Sequence, residues 1–320
     1  MKNYRTHVDT TLDLKGVTLL IGGNNSGKSN LFAGIQHFAD LISRRFQTQM
    51  PKVGKEDYFP HKHSLDNANT PMAFACEWEN ASGLVVYQMA LYALNADENQ
   101  HQEIDYANVN IARDLGKEGA NFQALLKYVL EPDKNTYKRL KEFIKFVDSA
   151  FQGFVIKDKQ VFWQFDISKN ASNCQELPST VISDGIIKGS AVVLLCTCEN
   201  PPALIMIDEV ENGISLGNVR ELLSWLHYTA GKGKKRPFLL TTHSPSFICE
   251  FSDELDAVYN TLLQPTHYKS LLTNLSDGLY NGVKWENIYG DIVEQDGKEL
   301  VIVKPYQLTE LYFSGVLSNI

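Results

Sequence analysis

The eight residues Gly22-Gly23-Asn24-Asn25-Ser26-Gly27-Lys28-Ser29 constrain this chain more tightly than any other stretch of it. They satisfy G-x-x-x-x-G-K-[ST] in full, a pattern that carries meaning only between a strand and a helix. Before them, Gly16 to Ile21 offers Val17, Leu19, Leu20 and Ile21, the run of a strand buried on both faces. After them, Leu31, Ile35, Phe38, Leu41 and Ile42 recur at helical spacing, which predicts a helix from Asn30 to Phe46. Such a strand, loop and helix form a cradle for phosphates. Gly22 and Gly27 let backbone N–H groups turn inward, and Asn24, Asn25, Ser26 and Asn30 complete the loop and the helix start. Lys28 supplies a point charge to the phosphates, Ser29 offers a hydroxyl to Mg²⁺, and the helix adds its positive end.

Three further stretches belong with this loop. Leu204-Ile205-Met206-Ile207 is an apolar strand that ends in Asp208-Glu209. An open α/β sheet holds its metal-binding carboxylate at such a strand end, so Asp208 is expected to hold Mg²⁺ through water and Glu209 to orient or deprotonate an attacking water. Two exposed acids ending an ordinary strand would look the same. Thr241-Thr242-His243-Ser244-Pro245 follows the apolar strand Phe238 to Leu240. His243 there can reach a terminal phosphate, or it can be a turn histidine bonded to backbone. Ser183-Asp184-Gly185 opens a helix ahead of the acidic strand, which makes either a second anion site or a plain helix cap. The same tripeptide recurs at Ser276-Asp277-Gly278, and only position selects the first copy.

The order of these stretches, Walker A loop, signature, acidic strand and switch histidine, resembles the ABC-type ATPases. Gly23 to Asn30, Ile182-Ser183-Asp184-Gly185, Asp208-Glu209-Val210-Glu211-Asn212-Gly213 and Thr242-His243-Ser244-Pro245 are similar to the stand-alone AAA-type ATPases of the OLD (overcoming-lysogeny) class. These are relatives of RecF and SMC heads, and many serve in prokaryotic anti-phage systems. The resemblance runs from about Thr18 to the C-terminal ELYFSGVL. It implies ATP and Mg²⁺ as cofactors, Glu209 and His243 as catalytic residues, Glu211 and Asn212 as supporting ones, and Ser183-Asp184-Gly185 as part of the nucleotide site of a second copy. The signature reads Ile-Ser-Asp-Gly-Ile, unlike the Leu-Ser-Gly-Gly-Gln of transporters, and no glutamine can be matched to the Q-loop. OLD nucleases add a domain with a D-x-D metal motif. No D-x-D occurs among the 77 residues after His243, so a nuclease activity in the same chain is not expected.

The expected fold is therefore α/β: a P-loop NTPase with an ABC-ATPase-like head, a mixed core sheet, an antiparallel N-terminal portion and a helical signature lobe. Residues 1–320 read as one such domain, with 95–180 as an inserted lobe of helix and β-hairpin. Within that lobe Tyr137, Leu140, Phe143, Ile144 and Val147 make one apolar stripe, a packing face. A homodimer or larger homo-oligomer closing around ATP follows from the resemblance, with a separately encoded effector as partner. A RecF-like clamp on DNA and a nucleotide-dependent scaffold with little turnover are the competing readings.

Composition narrows the partners. The formal net charge of -8 does not indicate nucleic acid, although Lys232, Lys234, Lys235 and Arg236 form one basic loop that reads as solvated surface or as a phosphate contact. Arg44-Arg45 suits the negative end of the first helix. No apolar run approaches the roughly 20 residues of a membrane span, the first ten residues lack a leader's apolar core, and the five cysteines form no CxxC pair. A cytoplasmic protein without membrane contact is expected.

Overall fold

A computed structural model describes residues 1–47, 72–80, 83–91, 122, 126, 134–158, 160–166, 174–197, 203–212, 219–231, 237–277, 279–280, 283–284, 291–295, 298–302 and 304–313. In chain order the elements are β1 (Lys2–Tyr4), β2 (His7–Asp9), β3 (Val17–Ile21), α1 (Lys28–Gln47), β4 (Met72–Asn80), β5 (Gly83–Leu91) and α2 (Lys134–Val147). There follow β6 (Phe151–Lys157), β7 (Gln160–Asp166), β8 (Cys174–Pro178), α3 (Asp184–Thr197), β9 (Ile205–Ile207) and α4 (Val219–Gly231). Then come β10 (Phe238–Thr241), α5 (Pro245–Cys249), β11 (Val258–Gln264) and β12 (Lys269–Asn274). Two further hairpins and the helix α6 (Pro305–Phe313) close the described chain. The basic loop at Lys232 to Arg236 and the side chains of Arg44 and Arg45 lie outside the described residues. Among the described residues no helix is long and apolar enough to cross a membrane.

These elements form two compact units. The first takes residues 1–100, 206–209 and 238–320, the second 101–205 and 210–237.

The core sheet of the first unit has the order β12-β11-β3-β10-β9. β10 and β11 flank β3 in parallel, while β12 turns back antiparallel on β11. Val17 to Ile21 are buried throughout, as a central strand covered on both faces requires. The N-terminal portion is a second, antiparallel sheet of order β2-β1-β4-β5. α1 packs its apolar face on that sheet. Phe38 stacks on Phe74 of β4 with ring centroids 5.3 Å apart, beside buried Tyr4 and Met72. The mixed sheet and the antiparallel N-terminal portion are as the sequence predicts. The β1–β2 hairpin carries too few apolar residues to be read as strands.

The second unit is helical on one side and aromatic at its centre. β6, β7 and β8 form an antiparallel sheet, of which β8 has no hydrophobic alternation in the sequence. Phe151, Phe154, Trp163 and Phe165 interlock edge to face, with Phe154 and Trp163 centroids 4.7 Å apart. Leu140 and Ile144 of α2 and Val193 and Leu194 of α3 close this core, with Phe143 and Val147 packed at its edge. The apolar stripe of α2 is thus a packing face. Trp163 is fully buried, and its Nε1–H donates to Ser179 Oγ at 2.7 Å.

Candidate functional site

The loop between β3 and α1 is built on backbone conformations that only some residues adopt. Gly22 has φ +137° and Gly27 has φ +113°, and Asn25 takes φ +63°. Asparagine tolerates that region and glycine prefers it. The same glycines are also places of close approach. A Cβ on Gly22 would strike the Thr261 carbonyl and lie 2.6 Å from Thr261 Oγ1; a Cβ on Gly27 would strike the Ser270 hydroxyl and lie 3.2 Å from His7 Nε2. The loop rests on polar side chains from two hairpins, β1–β2 and β11–β12.

The proton directions in this support are determined by the partners. Thr261 Oγ1 donates to the Ile21 carbonyl at 2.9 Å, so Ser26 donates its hydroxyl proton to Thr261 Oγ1 at 2.8 Å. Ser26 is buried, and its side chain serves the loop itself. Ser270 Oγ donates to the Ser26 carbonyl at 2.7 Å and lies 2.8 Å from Thr6 Oγ1. His7 Nε2 lies 3.0 Å from the Gly27 carbonyl, which can only accept, so this nitrogen carries the proton. His7 Nδ1 lies 2.9 Å from Thr10 Oγ1, a hydroxyl that can serve either ring form. Burial holds the imidazole below its ordinary pKa, against the opposing hydrogen bond to Gly27 and with the help of the N-terminal ammonium.

Helix α1 starts at Lys28, two residues earlier than the hydrophobic periodicity predicts, and its first bond runs from Leu31 N–H to the Gly27 carbonyl at 2.9 Å. Periodicity cannot see a first turn made of Lys28, Ser29 and Asn30. That turn matters because its N–H groups have no acceptor within the helix. Lys28 is buried and folds over the loop, its Nζ donating to the carbonyls of Gly22 at 2.7 Å and Gly23 at 3.0 Å. Ser29, Asn24 and Asn25 are exposed. Asn30 is engaged by the β1–β2 turn: its Nδ2 donates to Thr6 Oγ1 at 2.9 Å and its Oδ1 accepts from Arg5 at 3.3 Å.

Asp208 and Glu209 follow β9 at the edge of the same sheet and are both exposed. Glu209 has φ +46°, a left-handed conformation for a residue that rarely takes one. Thr241, the last residue of β10, joins the two acids: its Oγ1 accepts from Glu209 N–H at 2.7 Å and donates to Asp208 Oδ1 at 2.5 Å. His243 stands two residues further on, half-buried, and its carbonyl accepts from Tyr312 Oη of α6 at 3.0 Å. Glu211 is half-buried and Asn212 exposed in the turn after Glu209.

Ser183, Asp184 and Gly185 belong to the second unit. Ser183 precedes α3, its carbonyl accepting from Ile187 N–H at 3.1 Å, so it occupies the cap position of that helix. Ser183 and Asp184 are exposed, and Gly185 is buried. Val181 beside them is 60% exposed, at the mouth of a cavity of about 280 Å³ lined by Phe165, Leu177, Ile182 and Ile186. The second copy of the tripeptide differs: Ser276 is held in a tight turn by Asn274 Oδ1, and Gly278 is outside the described residues.

The first unit therefore offers a backbone cradle with no room for a Cβ at Gly22 or Gly27, a lysine on that cradle, an exposed serine in the first helical turn and an exposed carboxylate at a strand end. This donor set fits a nucleotide with Mg²⁺, which takes one or two protein oxygens and completes its octahedron with water and phosphate oxygens. Thr6, His7, Thr10, Thr261 and Ser270, which hold the cradle from below, carry no motif. For His7, Thr261 and Ser270 the signal in the sequence is a polar residue inside a strand, of which Thr261 between Asn260 and Leu262 is the plainest, while Thr6 and Thr10 flank β2 and carry no such signal.

Comparison with known proteins agrees with this geometry. A model described as "AAA ATPase domain" matches residues 1–184, and a second, described as "AAA domain, putative AbiEii toxin, Type IV TA system", matches residues 127–249. No curated protein matches in sequence. Among solved structures the chain is similar to the Smc head seen in complex with the C-winged helix domain of ScpA, with TM-score 0.52 and 11% identity over 86% of this chain and 96% of that one. At that identity the likeness concerns the fold, a mixed α/β head with a phosphate loop. The first family model covers more than half of the 320 residues, and the chain belongs to the AAA ATPase domain family.

Proposed function

We propose that this chain is an ATP-binding and ATP-hydrolysing head of the OLD class, a cytoplasmic switch subunit that closes with a second copy around ATP and Mg²⁺ and controls a separately encoded effector in a prokaryotic anti-phage system. The observation that carries the ATPase reading is that Lys28 and Ser29 open the helix after β3 while Asp208 and Glu209 follow β9, a strand of the same sheet with only β10 between, and that the loop before Lys28 has positive φ at Gly22 and Gly27. In this reading the loop and Lys28 hold the phosphates, Ser29 and Asp208 hold Mg²⁺, Glu209 orients or deprotonates the attacking water and His243 meets the terminal phosphate. Mg²⁺ would screen the phosphate charge during transfer.

The pairing of two heads is supported by Ser183 and Asp184, exposed at a helix start beside the exposed Val181. The defence role draws on the order of the motifs and on the toxin–antitoxin description of the second family match. Likeness to an Smc head favours a second reading, a RecF- or SMC-like clamp with DNA across the dimer.

The test uses the purified full-length chain and its Glu209→Gln variant. The amide keeps the shape and loses the basic oxygen, so ATP affinity should persist while turnover falls by ~10² or more. Turnover of the variant at the wild-type rate would assign the base to another residue. Tight ATP binding with negligible wild-type turnover would make the protein a nucleotide-dependent scaffold. Salt-sensitive DNA binding would favour the clamp. Co-purification with the products of neighbouring genes identifies the effector.

A further inference from the structure

We propose that Thr241 is the positioning residue for both acids of the Asp208-Glu209 pair, and that a single hydroxyl does this work. The inference rests on the reading of the site given above and adds a residue to it. β10 lies between β3, which delivers the phosphate loop, and β9, which delivers the acids. Thr241 ends β10 opposite Leu20 of β3 and is fully buried. From there its Oγ1 meets Glu209 N–H at 2.7 Å and Asp208 Oδ1 at 2.5 Å.

Chemistry allows only one arrangement of protons. A backbone amide can only donate and an ionised carboxylate can only accept, so the hydroxyl accepts from Glu209 and donates to Asp208. The bridge has two consequences. It holds the Asp208 carboxylate by one oxygen and so orients the group that would face the metal. It also pins the Glu209 amide where φ is +46°, a conformation that needs outside support in a non-glycine residue, and so decides where the Glu209 side chain leaves the backbone. One side chain thereby ties both acids after β9 to the end of β10, the strand that pairs on its other side with β3, which leads into the phosphate loop.

Thr241→Val keeps the shape and suits a buried strand but removes the hydroxyl, Thr241→Ala removes it without the bulk, and Thr241→Ser retains it. The measurement is calorimetric titration of the full chain with a non-hydrolysable ATP analogue, in EDTA and across a Mg²⁺ series, with melting temperatures for all variants. Thr241→Val and Thr241→Ala should weaken the apparent Mg²⁺ affinity by about 10- to 100-fold and leave the affinity in EDTA unchanged, while Thr241→Ser stays within about threefold of wild type. Wild-type Mg²⁺ affinity in either hydroxyl-free variant would overturn the proposal, as would an equal loss in EDTA. A wild-type chain whose analogue binding ignores Mg²⁺ would remove the reading of the site, and the role of Thr241 with it. A chain that responds to Mg²⁺ with an unaltered Thr241→Val removes Thr241 alone.

Discussion

Two helix starts in this molecule, both proposed above to face phosphate, are built in opposite ways. The start of α1 is held from below: Ser26, Gly27 and Asn30 are bonded to Thr261, Ser270, His7 and Thr6, and Lys28 is buried over the loop. The start of α3 stands on an aromatic core but presents Ser183 and Asp184 to solvent, next to an exposed Val181. A site that must grip a polyphosphate needs its N–H groups fixed before the ligand arrives, and a ring of buried hydrogen bonds provides that. A surface that completes another copy's site must stay open until that copy arrives. The difference matches the proposed division of labour, the α1 start as a site complete within one chain and the α3 start as a surface for a second copy.

The largest expected effect tests the first half of that contrast. Lys28→Ala should abolish ATP binding or weaken it beyond detection by isothermal titration, because the charge and the cradle act together on the phosphates. Unchanged affinity in a folded variant would remove the assignment of the loop.

Next in size is a test of the second half. Ser183→Arg should leave ATP affinity intact and stop turnover, since an exposed cap position tolerates the side chain while a facing terminal phosphate does not. Mixing Ser183→Arg with Lys28→Ala should restore part of the activity after subunit exchange, because the mixed pair holds one intact composite site. Full turnover by Ser183→Arg alone would reduce Ser183 to a helix cap.

A smaller effect separates crowded glycines from open ones. Gly27→Ala places a methyl group against the Ser270 hydroxyl at φ +113°, and should lower the melting temperature and the nucleotide affinity together; the backbone term alone is about 1–2 kcal/mol. Gly231→Ala at the end of α4 meets nothing within 4 Å and has no left-handed φ, so it should be neutral or stabilise by up to about 1 kcal/mol. A melt of each variant decides the matter.

The smallest effect is a pH dependence. His7 has a folded pKa below its ordinary value of 6.5, so below pH 6.5 the unfolded chain binds the proton that the native ring refuses. Its contribution to stability is fully present above pH 6.5 and is lost as pH falls toward the folded value. The melting temperature should therefore drop between pH 7 and pH 5 more steeply in wild type than in His7→Gln. Identical slopes would show that His7 does not titrate against the fold.

How much of this was legible beforehand depended on range along the chain. The phosphate loop, the acidic strand end and the strand–histidine segment were readable because each is a local pattern in which residue type, spacing and flanking hydrophobicity agree. Helix boundaries were less legible: α1 begins inside the motif itself, where Lys28 and Ser29 carry no hydrophobic signal. β1 and β2 were missed because strands of three residues with one or two buried side chains leave no alternation to read.

By itself the sequence determined that a phosphate cradle, an acid pair and a histidine end their strands in an α/β head. Those choices are made by steric permission at Gly22 and Gly27 and by continuous apolar runs such as Val17 to Ile21, which only a doubly covered strand can bury. Only the tertiary structure decided which polar residues support them. Thr241 lies 33 residues from Asp208, and Thr261 lies 235 from Ser26. A threonine in a strand reads the same whether it fills space or holds a carboxylate. The order of strands in the sheet, set by burial of apolar faces far from the site, is what brings its hydroxyl to the one place where it is needed.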